Sequence, residues 1–166
     1  FERIEAELGP VRVLIYNAGR FLHQPFLETT SDDLRSLWEI NCLGGYLCAR
    51  RAVPGMVEQG GGCLLFVGAT AGVKAAAEFS AFGSAKFALR GLAQSLAKEL
   101  GPRGVHVIHA VLDGLVWTPA TARWPGARKS DCLLPEDVAE TFLALIRQPR
   151  SAWTWEIDLR PDVEPF

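Results

Sequence analysis

An alternation constrains this chain more than any other feature. Four short runs, Val11–Tyr16, Cys63–Val67, Val105–Leu112 and Trp153–Leu159, are separated by longer segments whose apolar residues recur at helical spacing. The runs are close to continuously apolar, so both of their faces need cover. Strands of that kind alternating with helices make a parallel sheet with helices on both sides. The expected fold class is therefore α/β, a doubly wound parallel sheet. Ligands of such sheets sit beyond the carboxyl ends of the strands. Asn17-Ala18-Gly19, Gly68-Ala69-Thr70 and Asp113-Gly114 all fall at those ends.

The intervening segments carry start and stop signals. Phe1 to Leu8 reads as the end of a helix closed by Gly9-Pro10. Thr30 opens a helix with Asp33 as a capping-box partner. Leu34, Leu37, Trp38, Asn41, Gly45, Cys48 and Ala52 recur along it, to about Met56, with Pro54 disturbing its end. A second long helix is expected over Ala81–Leu100, ended by Gly101-Pro102-Arg103-Gly104. Pro135 opens a last one. Gly60-Gly61-Gly62 precedes a strand. A phosphate cradle needs the order strand, loop, helix, so this glycine run reads as a plain turn.

Composition excludes several functions. Seventeen basic residues face nineteen acidic ones. Nucleic-acid binding calls for a basic excess, so no nucleic-acid partner is expected. No apolar stretch is long enough to span a bilayer, and no signal peptide is readable. His23, His106 and His109 lack metal spacing, and no metal is expected. Cys42, Cys48, Cys63 and Cys132 form no Cys-x-x-Cys pair, which suits free thiols in a reducing, cytoplasmic setting. The chain begins at Phe1 and its one methionine is Met56. The expectation is a single domain over residues 1–166 that is incomplete at its N-terminus.

At this point the residues resemble the short-chain dehydrogenase/reductase family. Asn17-Ala18-Gly19, Asn41 within Glu39-Ile40-Asn41-Cys42, Lys86, and the stretch from Ala85 to Gly101 carry the likeness. The resemblance implies the C-terminal portion of a Rossmann-like domain. The family's glycine fingerprint for phosphate would lie upstream, so that loop is absent from this chain. The resemblance assigns the catalytic tetrad to Asn41, Ala69, Phe82 and Lys86. The family's tyrosine falls at Phe82, four before the lysine. Its serine, thirteen before the tyrosine, falls at Ala69. Asn17, Ala18, Gly19, Lys86, Asp113, Gly114, Val116 and Thr118 are implied to border an NAD or NADP cofactor.

Two absences bear on the chemistry. In the family the tyrosine exchanges a proton with the substrate oxygen, and the lysine beside it lowers the phenol pKa from ~10. Phe82 has no proton to give. Ala69 cannot donate to a carbonyl. Losses of this kind cost roughly 10²–10⁴ in rate for the acid and on the order of 10²–10³ for the polarising donor. Tyr16 and Tyr46 do not occupy the Phe82 position. Thr70, beside Ala69, is the candidate replacement donor, and Asp113 brings a carboxylate near the expected nicotinamide.

Two functional readings follow. One is an NAD(P)-dependent oxidoreductase acting on a small carbonyl or alcohol with altered or weak catalysis. The alternative is a catalytically inactive binding or assembly module on the same fold. Both take a small-molecule ligand, and the resemblance implies a homodimer or homotetramer through the helices of Asn41 and Lys86. Trp117, Trp124, Trp153 and Trp155 read as core or subunit contacts.

Overall fold

The computed structural model describes residues 1–164. In chain order the elements are α1 (Glu2–Leu8), β1 (Val13–Tyr16), α2 (Ser31–Trp38), α3 (Gly44–Glu58), β2 (Gly62–Val67), α4 (Ser80–Leu100), β3 (Val105–Leu112), α5 (Pro135–Ile146) and β4 (Glu156–Leu159). The four strands form one parallel sheet in the order β1-β2-β3-β4. This is the α/β architecture that the alternation of apolar runs predicts.

The sheet has a core on each side. On one face Leu64, Phe66, Val105 and Val107 pack with Leu89, Ala93 and Met56 from α4 and α3. On the other, Leu65, Val67, Ile108 and Ala110 pack with Val138, Phe142 and Leu145 of α5. Successive side chains of a strand point to opposite faces, so β2 and β3 feed both cores at once. Burying each such aliphatic side chain contributes about 1.5–3 kcal/mol. A strand with a polar residue at every second position could not occupy this place.

Local signals explain most of the boundaries. Thr30 caps α2 and makes a reciprocal capping box with Asp33. Gly104, at φ 88, ends the turn that leads into β3. The segment expected as one helix from Thr30 is interrupted. Between α2 and α3, Glu39–Leu43 forms a π-helical turn. The extra residue per turn arises where the Asn41 side chain donates to Leu37 O at 3.0 Å and Arg20 O at 2.9 Å. Single π turns inside α-helices often occur at functional sites. The final strand begins at Glu156 instead of Trp153. Trp153 stacks flat on His106, with ring centroids 4.6 Å apart, and Thr154 is held by the Gln148 side chain.

Among the described residues, no helix is long and apolar enough to cross a membrane. Several apolar side chains stay exposed, including Val13 and Ile15 on β1 and Leu47 and Phe87 on α3 and α4.

Candidate active site

The loops after β1, β2 and β3 meet at one edge of the sheet, as their sequence positions predict. A cleft of about 530 Å³ opens there. That volume suits a small-molecule ligand. Its floor is Gly68, Ala69 and Thr70 from the end of β2. One wall is Phe79 and Phe82 from the start of α4. Gly114, Leu115 and Val116, after β3, form another wall. A second hollow of about 340 Å³ lies between α3 and α4, beside Tyr46, Arg50 and Glu99. It contains none of the converging strand-end residues.

Lys86 lies one turn along α4 from Phe82. Its side chain is 6% exposed, and Nζ donates to Val67 O at 3.0 Å. Burial brings its pKa down to about 8. The amine is 5.9 Å from the centroid of the Phe82 ring. Gly19, after β1, approaches from the other side. A Cβ placed there would sit 3.1 Å from Asn41 Oδ1 and 3.7 Å from Lys86 Nζ. Asn41 is fully buried, and its Oδ1 has no hydrogen-bond partner among the described residues. Gly19, Asn41 and Lys86 thus converge around a small polar space. Asn17 and Ala18 are exposed just before them.

The polar groups beside Ala69 are tied to one another. Thr70 Oγ1 donates to Asp113 Oδ1 at 2.5 Å. Arg160, beyond β4, donates to Asp113 Oδ2 at 2.6 Å and to Asp158 at 2.8 Å. Asp113 is 3% exposed and lies behind Thr70. The structure therefore corrects one expectation about Thr70. Its proton is committed to Asp113 and does not point to a carbonyl in the cleft. Asp113 itself is neutralised by Arg160 and turned away from the cleft, so Gly114 and Val116 are the members of that strand end that line it. Gly114 has φ 141, and a Cβ there would press on Pro161 at 2.8 Å. Thr118 bonds locally to Thr121.

Behind this layer is a second buried network. Arg90 of α4 donates to both oxygens of Glu156, at 2.7 Å each. Glu156 also meets His109 Nδ1 at 2.9 Å. Burial is the main cause that lowers the His109 pKa, so the ring is held neutral. Its Nε2 fills the space where a side chain at Gly68 would go.

The sequence profile of the family described as short chain dehydrogenase matches residues 1–129. The chain belongs to the short-chain dehydrogenase family. Carbonyl reductase family member 4 of Xenopus tropicalis is 33% identical over 157 residues, covering 90% of this chain and 65% of its own length. A short-chain dehydrogenase structure from Rhodopseudomonas palustris, 36% identical, superposes with a TM-score of 0.80 over 96% of this chain and 66% of that one. An alcohol dehydrogenase from Thermococcus sibiricus, complexed with 5-hydroxy-NADP, shares the fold at a TM-score of 0.86 and 22% identity, over 99% of this chain and 68% of its own. The chain spans 45–65% of the length of curated relatives that it matches.

The position that the resemblance assigns to the acid, Phe82, presents a bare phenyl ring at the cleft. Neither tyrosine takes its place. Tyr16 donates to Ile40 O, and burial, with Cys48 and Cys42 nearby, raises its pKa. Tyr46 is exposed on α3 and paired with Arg50. Ser84 turns back to Ala81 O.

The residues present also fit a nicotinamide cofactor. An ammonium group has three donors, and Lys86 spends one on Val67 O. The bare Cα of Gly19 leaves room beside it. Sequence reasoning missed part of the cleft wall. Phe21 packs edge-on to Phe82 at 5.2 Å and to Phe79 at 5.7 Å, and lies 5.6 Å from Trp124. Trp124, expected as a core or subunit contact, is 46% exposed and lines the cleft, so it is not a core residue. Loop residues show no periodicity, so nothing in the sequence marks Phe21 or Trp124.

Proposed function

We propose that this protein is an NAD- or NADP-dependent short-chain oxidoreductase acting on a small carbonyl or alcohol, with catalysis weakened by the loss of its acid. The observation that carries this reading is the convergence of Lys86 Nζ, Gly19 and Asn41 beside the cleft. Lys86 would hold the hydroxyls of the nicotinamide ribose. Gly19, Ala18 and Asn17 would line the adenosine side, and Gly114 and Val116 would flank the nicotinamide. Bound there, the cofactor supplies or accepts hydride. The chain's own residues position the substrate in the apolar cleft and keep water from it. Four unpaired cysteines agree with a reducing, cytoplasmic setting.

A second reading is favoured by one specific observation. Phe82 offers no proton, and that of Thr70 is committed to Asp113. A member of the family with this site would bind ligand without turnover and serve as a binding or assembly module. The exposed apolar residues of α3 and α4 support self-association, as a homodimer or homotetramer, under both readings.

Titration with NADH and with NADPH, followed by nucleotide fluorescence, tests the proposal. Saturable binding at or below about millimolar cofactor, weakened in Lys86→Met, is expected. No binding at that concentration would end the first reading. Binding without turnover across a panel of carbonyls and alcohols would select the second.

A further inference from the structure

The hydroxyls that line the cleft are Thr70 and Thr121. A threonine hydroxyl has one proton to donate and two lone pairs to accept with. Thr121 Oγ1 donates to Val116 O at 2.6 Å and accepts from Thr118 N at 2.8 Å. It is used up in the loop's own turn. Thr70 differs. Its proton goes down to Asp113, and no donor is seen bonding to its oxygen among the described residues. Thr70 itself is part of the cleft floor. The lone pairs that remain can therefore meet a ligand in the cleft.

This direction is fixed from behind. Asp113 is nearly fully buried, and its other oxygen is held by Arg160, which also grips Asp158. A carboxylate accepts only, so Thr70 cannot reverse its bond without leaving that buried oxygen unpaired. An unpaired buried acceptor is costly, more so when charged. Beside Thr70, the side chains of Ala69 and Phe82 contribute no polar atom. The floor of the cleft thus presents an acceptor, enclosed by Phe21, Phe79, Phe82 and Trp124.

We propose that this cleft recognises an alcohol in preference to the matching carbonyl compound, through the Thr70 oxygen that Asp113 fixes as an acceptor, with the ligand's apolar or aromatic body against the four rings. A hydroxyl donates to Thr70. A carbonyl oxygen meets lone pairs there, and the one cationic side chain of the cleft lining, Lys74, is exposed to solvent. Thr70 is accordingly a specificity-determining residue and Asp113, with Arg160, its positioning group. The inference rests on the reading of this cleft as the substrate site, but it concerns binding alone.

The test compares 1-phenylethanol with acetophenone, which share a carbon skeleton and differ at the oxygen. Dissociation constants are measured by saturation-transfer NMR on the purified protein without cofactor. The alcohol is expected to bind roughly tenfold tighter, the value of one hydrogen bond backed by a charged group. Thr70→Val and Thr70→Ala should each erase that preference, while Thr70→Ser keeps it. Thermal melts of each variant establish that it is folded. Equal or tighter binding of the ketone, binding of neither ligand, or a preference that survives in Thr70→Val and Thr70→Ala would overturn the proposal. Failure of NADH and NADPH to bind would instead sink the oxidoreductase reading and leave the alcohol preference standing.

Discussion

The Lys86 amine lies 5.9 Å from the centre of the Phe82 ring, which lines the cleft. One helical turn separates the two residues, so their side chains share a face of α4. In the family frame this is the spacing of an acid and the cation that activates it. The resemblance assigns the cation to Lys86 and the acid's position to Phe82, which carries no hydroxyl. The buried amine is left with a backbone carbonyl, Val67 O, as its bonding partner within the site.

That burial has a consequence for stability. The Lys86 pKa lies near 8, below the ordinary lysine value of ~10.4. Between those two values the unfolded chain holds more protons than the folded one, so this residue makes stability rise with pH in that window. Below pH 8 the charged amine is a constant burden. Lys86→Met should therefore be the more stable protein at pH 7. Its advantage should shrink from pH 8 to pH 10, by at most ~1.4 kcal/mol per pH unit. Urea unfolding of both proteins across that range measures the gap. A gap that does not change with pH would mean that the amine is not buried.

The first turn of α3 depends on a small residue. A Cβ at Gly44 would run into the Tyr16 hydroxyl, which is bonded to Ile40 O within the π-helical turn. Gly44→Ala should destabilise the protein by roughly 1–3 kcal/mol, the usual cost of overpacking. Tyr16→Phe removes the colliding oxygen and one hydrogen bond, at about 1 kcal/mol. The double variant should cost less than the two single changes together. A double-mutant cycle by urea denaturation reads this coupling. Additive costs would contradict the packing described here.

Much of this molecule was legible in its sequence, for physical reasons. β2 and β3 are buried on both faces, so apart from His106 and His109, each with one ring nitrogen hydrogen-bonded, they are apolar, and apolar runs are easy to see. The resemblance singled out Lys86 by its place one helical turn after Phe82 and Asn41 by the motif around it, and the Thr30–Asp33 box was visible because capping is a local bond. What was hidden depends on contacts between distant segments. Arg160 reaches Asp113 because β4 lies alongside β3, 47 residues away in sequence. That pairing decides the direction of the Thr70 hydrogen bond. The π-helical turn at Glu39–Leu43 was hidden in the same way. It rests on a bond from Asn41 to Arg20, and the helical pattern continues on both sides of it.

The exposed faces of α3 and α4 predict association. Tyr46, Leu47 and Phe87 are apolar and accessible, and nothing lies within 4 Å of a Cβ placed at Gly91. Such a surface of apolar and small residues lets two helices approach closely. Sedimentation velocity on the purified protein should show a dimer or tetramer, and Leu47→Glu with Phe87→Glu should shift it toward monomer. A wild type already monomeric at micromolar concentration would contradict a subunit contact here.

The resemblance sets the Phe82 ring and the Ala69 methyl group where a hydroxyl-bearing pair would act. The most direct measurement is the rate of carbonyl reduction by the Phe82→Tyr, Ala69→Ser double variant against the wild type, at saturating cofactor. The restored phenol would sit beside a cation already in place, and the restored serine at the cleft floor. A gain of about 10² or more is expected. A double variant that binds cofactor as the wild type does and gains nothing would show that the acid's place has been assigned to the wrong residue.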